Sequence, residues 1–255
     1  MKKRYYISTA VISYFVLLIT TIPAHTITTL INDNAPVRIQ GVSGTLWHGK
    51  AIEISINDDL SLSDTTWSFS TLALFTGHAA AQIETRLLDN KISAEVGSSF
   101  LGRFFIDDLK AKLPASDIVT LANIPLAQLS GDIAIDIESA RWKQGELPTA
   151  SGQIYWSNAS VTVMEAASLG NISITLGESE QQLLKADIKN QGGDINIDGY
   201  AGLVPEANYA VNIKLKANAG ASNNIRQSLS MFAKRQADGS FLFKKTGSLN
   251  QIGLM

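Results

Sequence analysis

The sequence predicts a mainly β protein, with an N-terminal transmembrane helix followed by a curved antiparallel β-sheet domain and one or two short helices. Three observations support this fold class. An uncharged apolar run lies near the start of the chain, apolar and polar residues then alternate with a period of two in a series of short segments, and turn-forming dipeptides separate those segments. Such alternation places an apolar face against a core and a polar face in water, as is typical of antiparallel sheet.

The opening run from Tyr5 to Ile22 follows three cations and contains no charged side chain. A helix of that length covers about 27 Å at about 1.5 Å per residue, close to the ~30 Å hydrocarbon core of a bilayer. We therefore expect a cytoplasmic tail at 1–4, a transmembrane helix over 5–22 and a membrane-proximal segment over 23–36. The residues assigned to this anchor are Tyr5, Tyr6, Tyr14, Phe15, Leu17 and Leu18.

Charge around this run predicts its orientation. Basic residues stay on the cytoplasmic side of a membrane, so we expect a single-pass, N-in protein of the bacterial inner membrane with the bulk of the chain in the periplasm. A cleaved signal peptide shows the same basic and apolar pattern. The run is longer than the usual apolar region of a signal peptide, and no A-x-A site follows it. Both interpretations carry the rest of the chain across a membrane.

Strand signals fill residues 37–255, which we take as one periplasmic β domain. Ile52, Ile54 and Ile56 share one face of the first strand, opposite polar neighbours. Turn signals such as Asp89-Asn90 and Asp238-Gly239 separate the strands. The same alternation recurs at residues 83–87, 92–96, 133–137, 161–163, 172–176, 195–197, 209–215 and 241–243.

Helical signals in this domain are few. Residues 114–123 predict one short helix with Ser116 as its N-cap, and residues 222–236 predict another from apolar positions at helical spacing. Residues 71–75 predict a single turn beside Trp67.

Composition excludes several classes of function. The net charge is −2 and only 17% of residues are charged, so the chain lacks the basic surface of a nucleic-acid-binding protein. The sequence contains no cysteine, which excludes disulfides and thiolate metal sites. The lack of cysteine also suits a bacterial periplasm, where a lone thiol is a liability.

No segment supplies a convincing catalytic or metal-binding set. Residues 194–199 match the first half of a calcium EF-hand loop, but the position of the bidentate carboxylate falls on Pro205. Residues 41–45 lack the final glycine of the G-x-S-x-G nucleophile motif. The three histidines are far apart and lack ligand spacing. We therefore expect no enzymatic activity, no metal and no cofactor.

A weak internal similarity relates Ser43–Ala51 to Ser151–Ala159. A duplicated strand-pair unit accounts for it, with halves at 37–128 and 129–255. Tight turns alone also produce Ser-Gly pairs, so the sequence leaves both explanations open.

A family resemblance lies in the basic start and single span, followed by residues 41–51 and 149–156. They are similar to the protein N family of the bacterial type II (general) secretion system, and the likeness continues through Trp67, 72–77 and 129–131. The C-terminal 244–249 stretch departs from the pattern, because it keeps only a Gly-Ser-Leu ending. The motif residues that carry the resemblance are Gly41, Ser43, Gly44, Leu46, Trp47, Gly49, Ser151, Gly152 and Trp156.

The resemblance implies an inner-membrane protein with a periplasmic β domain, which serves as an accessory component of the machine that exports folded proteins across the outer membrane. Its implied partners are other type II secretion components. The chain is also similar in outline to AsmA-like envelope proteins, whose long curved sheets are associated with lipid handling. A lipid- or amphiphile-binding envelope protein is therefore the alternative function.

Overall fold

The computed structural model describes residues 13–14, 20–26, 37–56, 60–121, 128–162, 165–181, 183–204 and 208–248. Two compact units divide the chain, Met1–Phe100 and Leu101–Met255. Each unit contains its own succession of antiparallel strands, so the described part of the chain is mainly antiparallel β-sheet.

The first unit is a meander in which the second to fifth strands each pair with the next strand along the chain, and the first strand pairs with the third. Its strands are β1 (Arg38–Gln40), β2 (Ser43–Gly44), β3 (His48–Ser55), β4 (Ser61–Phe69), β5 (His78–Leu87) and β6 (Asn90–Ser99). The pairing order is β1-β3-β4-β5-β6, with β2 beside β3. Helix α1 (Thr71–Phe75) joins β4 to β5, and the side chain of Ser70 caps it by accepting a hydrogen bond from the Ala73 amide.

Small and hydroxylated side chains fill the interior of the first unit. Ala51 on β3 and Ala80 and Ala81 on β5 are buried. The buried hydroxyls of Thr65 and Thr85 lie 2.7 Å apart and satisfy each other across β4 and β5. Pairing of this kind removes the cost of burying a hydroxyl without a partner.

The second unit continues the same local pairing with longer strands. Its strands are β7 (Phe104–Pro114), β8 (Gln128–Trp142), β9 (Thr149–Thr162), β10 (Ala166–Glu178), β11 (Leu184–Gln191), β12 (Ile195–Val204), β13 (Asn208–Ala217), β14 (Lys234–Arg235) and β15 (Phe241–Ser248). Strands β7 to β13 pair in sequence order, and β15 then lies between β13 and β14. Helices α2 (Ala115–Leu121) and α3 (Asn223–Phe232) follow β7 and β13.

Helix α3 packs against apolar side chains of the strands in the second unit. Its buried residues Ile225 and Leu229 cluster with Ile195 and Phe241 on the strands. The side chain of Ser222 starts the helix by accepting a hydrogen bond from the Ile225 amide at 3.2 Å. The sequence therefore places an N-cap and two buried positions at the spacing that an amphipathic helix requires.

The predicted membrane-spanning helix over residues 5–22 needs correction. Within the described residues, no helix combines the length and apolar character that a membrane crossing requires. This finding contradicts the helical anchor in the predicted fold class, and with it the predicted single-pass, N-in inner-membrane location. Tyr5, Tyr6, Phe15, Leu17 and Leu18 lie outside the described residues, whereas Tyr14 is described and 63% exposed.

The end of the apolar run shows a physical reason for this correction. The carbonyl of Ile22 accepts a hydrogen bond from the Leu46 amide at 2.9 Å, and the amide of Ala24 donates to the carbonyl of Gly44 at 3.0 Å. Pro23 forms a β-bridge with Thr45, and Ala24 is fully buried. The C-terminal end of the run therefore pairs with the first unit. A helix over the whole run would cover only ~27 Å of a ~30 Å hydrocarbon core.

Two of the helix predictions also need adjustment. Helix α2 begins at Ala115, directly after strand β7, so Ser116 lies inside the helix instead of capping it. Helix α3 ends at Phe232 and not at residue 236, because Lys234 and Arg235 pair with β15 as strand β14. Residue Ala233 at its C-cap already has extended backbone angles.

Candidate functional site

Most of the first group of family-motif residues lie in β2, in β3 and in the tight turn between them. Ser43 pairs with Lys50 and Gly44 with Gly49. The hydroxyl of Thr45 accepts a hydrogen bond from the His48 amide at 3.1 Å. Gly44 has φ +88°, and a Cβ at this position would lie 2.5 Å from the carbonyl oxygen of His48. Only glycine allows this close approach of the two strands at such a backbone angle.

Trp67 on β4 lies across this turn. Gly49 pairs with Trp67, and a Cβ on Gly49 would lie 2.3 Å from the indole ring. The indole Nε1 donates a hydrogen bond to the carbonyl of Leu46 at 3.0 Å. Because Gly49 has no side chain, the indole ring can pack directly against the backbone of the strand.

Trp47 holds the other side of the turn. Its ring meets that of Phe69 edge to face, with centroids 6.1 Å apart, and its carbonyl accepts a hydrogen bond from the Phe69 amide at 2.7 Å. Edge-to-face aromatic pairs add a directional contribution to the burial of both rings. The turn is thus tied to β4 at two points, by Trp47 and by Trp67.

An open groove of about 310 Å³ lies along this turn. Ser43, His48, Lys50, Thr66 and Trp67 contribute to its lining. The indole supplies an apolar wall, and the exposed residues His48, Lys50 and Thr66 lie at the rim of the groove. We refer to this feature as the motif groove. It offers one flat apolar contact and a nearby cation to a partner.

The remaining motif residues lie on β9, in the second unit. The hydroxyl of Ser151 is 3.1 Å from that of Ser139. Gly152 faces Ile137 on β8, where a Cβ would lie 2.5 Å from the carbonyl oxygen of Asp136. The motif residues thus fall in both units, with Gly41 to Gly49 in the first and Ser151 to Trp156 in the second.

Trp156 repeats the arrangement of Trp67. Its indole Nε1 donates to the carbonyl of Ser130 at 2.9 Å, while its cross-strand partner is Ile133. In both units the carbonyl that accepts the indole hydrogen bond lies three positions before the cross-strand partner of the tryptophan: Leu46 before Gly49, and Ser130 before Ile133. Trp67 is therefore the structural counterpart of Trp156. The sequence similarity instead aligns Trp47 with Trp156, because a sequence comparison does not include strand pairing.

The calcium-like segment is part of the sheet. Ile195–Val204 is strand β12, and Asp194 just before it accepts a hydrogen bond from the Ser168 amide at 2.8 Å. Asp198 lies opposite Lys214 on β13. Among the residues that the structure describes, no three His, Cys, Asp or Glu side chains group in a way that could hold a metal ion.

Comparison with known proteins gives a family for this chain. A family model described as "Type II secretion system (T2SS), protein N" matches residues 35–244. The chain belongs to this family. The match includes both groups of motif residues, and it confirms the resemblance inferred from the sequence. Family membership assigns the chain a role in type II secretion, and hence in protein transport, and implies interaction with other components of that system.

A relative is consistent with this assignment. It is named "Type II secretion system protein N" and comes from Vibrio cholerae serotype O1 (strain ATCC 39315 / El Tor Inaba N16961). The two sequences are 22% identical over 224 residues, which cover 84% of this chain and 85% of the relative. No solved structure gives a significant match.

Proposed function

We propose that this chain is a non-enzymatic accessory component of the type II secretion system, and that it supports the export of folded proteins across the outer membrane by binding another component of the system. The observation that carries the proposal is that the motif residues shape the backbone and the groove. Gly44 and Gly49 provide space for a tight turn and an indole ring, so the motif residues shape the surface of a strand pair.

The motif groove fits recognition of a protein surface. Tryptophan is among the residues that contribute most to binding at protein interfaces, because a large apolar ring is rigid and still offers a polar edge. Here the Nε1 of Trp67 is already bonded to Leu46, so the ring is fixed before a partner arrives. A groove of about 310 Å³ accommodates a protruding side chain of a partner, and Lys50 on its rim favours a neighbouring carboxylate.

A site-specific photo-crosslinker tests this proposal in cells. We expect a crosslinker in place of Thr66, at the rim of the groove, to capture a protein identified by mass spectrometry as a secretion component. A crosslinker in place of Thr175, an exposed threonine of β10 in the second unit, is the matched control. Equal capture at both positions, or no secretion component at residue 66, would contradict the proposal.

A second candidate function is binding of a lipid or another amphiphile, and one feature of the second unit favours it. Strand register aligns a row of small and apolar residues across neighbouring strands, on one face of the sheet. Most of this row is only half-buried, and at about 4.8 Å between strands its eight members extend over roughly 34 Å. The row consists of Ala111, Ile135, Ile154, Ile174, Ile188, Gly199, Ile213 and Phe243.

Native mass spectrometry of the purified full chain tests the second candidate. We expect co-purified lipid with the wild-type chain and its loss in Ile174→Asp, because a carboxylate in the middle of the row opposes an acyl chain. Ser173→Asp places the same charge on the neighbouring, exposed position and should retain the lipid. Lipid-free wild-type protein would exclude this candidate and leave the secretion proposal unaffected.

A further inference from the structure

We infer that the first unit carries a separate surface that binds peripherally to a lipid bilayer. The surface consists of Leu72, Phe75 and Phe100, which we call the apolar tip. These side chains are 77%, 89% and 70% exposed, respectively. The inference is independent of the motif groove and of the proposed role in secretion.

Local geometry brings the three residues to one end of the meander. Leu72 and Phe75 are three positions apart on α1, so they project from the same side of the helix. The amide of Phe100 donates a hydrogen bond to the carbonyl of Gly77 at 3.0 Å, directly after α1. Register pairing of His78 with Ser99 fixes this approach, because it aligns the start of β5 with the end of β6.

Nothing in the local folding of α1 requires the apolar side chains. The helix has no buried residue. Its ends are held instead by polar groups, since Ser70 caps its start and the hydroxyl of Thr76 donates to the carbonyl of Ala73 at 2.8 Å. Leucine and phenylalanine at these exposed positions are therefore better explained by an external apolar environment than by the stability of the unit.

Size and charge favour a bilayer over a protein as that environment. Three side chains of this kind expose on the order of 500 Å², below the ~800 Å² per partner of a stable protein interface. Residues 71–77 carry no charge, so they offer no electrostatic complement to a protein surface. A small uncharged apolar projection suits shallow insertion at the boundary between headgroups and acyl chains, where buried apolar area drives binding.

A fluorescent label provides a local test in the full chain. Because the sequence contains no cysteine, Thr71→Cys creates a single site for an environment-sensitive nitrobenzoxadiazole label, four residues before Phe75 and on its side of α1. The matched control is Gln227→Cys on α3, an exposed position four residues before the exposed Met231. The label reports its own surroundings, so the apolar residues 5–22 elsewhere in the chain do not create the signal.

We expect vesicles of phosphatidylethanolamine and phosphatidylglycerol to shift the emission of the label at position 71 to shorter wavelength, with quenching by spin-labelled lipid. The label at position 227 should show neither effect. High salt should leave the shift unchanged, because the tip is uncharged. Leu72→Ser, Phe75→Ser and Phe100→Ser together should abolish the shift while circular dichroism stays unchanged. Unaltered emission at position 71, or equal shifts at both positions, would overturn the inference and leave a protein partner as the occupant.

Discussion

Gly49 is the residue on which the geometry of the motif groove depends most closely. A side chain there would overlap the ring of Trp67 at 2.3 Å and approach the carbonyl oxygen of Thr45 at 2.9 Å. The indole can make room only by leaving its position against the strand, which breaks its hydrogen bond to Leu46. A side chain at position 49 would therefore change both the shape of the groove and the stability of the first unit.

We predict that Gly49→Ala lowers the free energy of unfolding by about 1–3 kcal/mol, the usual cost of forcing an extra group into a filled space. Urea unfolding followed by tryptophan fluorescence measures the change. Gly177→Ala is the control, because no atom lies within 4 Å of the added Cβ at that strand position. Equal stability of both variants would show that Trp67 shifts freely and is not fixed by Gly49.

The buried hydroxyl pair of Thr65 and Thr85 leads to a second prediction. Thr85→Val leaves the Thr65 hydroxyl buried without its partner at 2.7 Å, so we expect a loss of about 1–3 kcal/mol. Thr65→Val with Thr85→Val should cost less than the sum of the single changes, because no unpaired hydroxyl remains. A double-mutant cycle on urea midpoints measures the coupling, and simple additivity would argue against a direct pair.

Single residues also show where the sequence alone was insufficient. The segments around Trp47 and Trp156 resemble each other in sequence, yet the hydrogen bonding makes Trp67 the counterpart of Trp156. Spacing along the chain does not reveal which residue faces which across a hairpin. Lys50 and Thr66 were missed as groove residues for the same reason. The duplicated origin of the halves stays a prediction.

At the scale of elements, alternation located strands well but did not give their lengths. Ile133, Ile135 and Ile137 predict a short strand, whereas β8 extends from Gln128 to Trp142. Most of the additional residues are polar, and they belong to the sheet because neighbouring strands pair with them. Tertiary pairing extends such strands beyond the region that local preference indicates.

Helix α3 gives the clearest prediction at this scale. Leu229→Ala removes a buried side chain that packs with Ile195 and Phe241, so we expect a loss of about 2–5 kcal/mol. Met231→Ala changes an exposed position on the same helix and should stay within about 0.5 kcal/mol. Thermal or urea unfolding compares the two variants. Similar losses for both would mean that α3 does not pack on the sheet as described.

The turn before β15 predicts a dependence of stability on pH. Hydrogen bonds from Lys214, at 2.6 Å, and from Ser240 hold the pKa of Asp238 well below its usual range. The carboxylate therefore stabilises the folded chain at neutral pH, and this contribution is lost as pH falls from about 4 towards the lowered pKa. Unfolding of Asp238→Asn and wild type across pH should show a difference that shrinks in acid. A difference that grows in acid would contradict this assignment.

At the scale of the whole molecule, the family assignment covers residues 35–244 and so includes parts of both compact units. The sequence established the family from short motifs in a fixed order, because turns that require glycine and tryptophan leave a recognisable pattern. The prediction of a membrane-spanning helix from the sequence was wrong. Hydropathy counts apolar residues and does not reveal that Ile22–Ala24 pair with Gly44–Leu46.

The most direct test of the proposed function is the amount of a folded type II substrate in the culture medium of cells that lack this chain. We predict that the substrate stays inside such cells and that the wild-type chain restores its export. Thr175→Arg should restore export as well, whereas Thr66→Arg at the motif groove should not, although both changes lie on exposed strand positions. Normal export without the chain would contradict a role in secretion, and full restoration by Thr66→Arg would contradict the role of the groove.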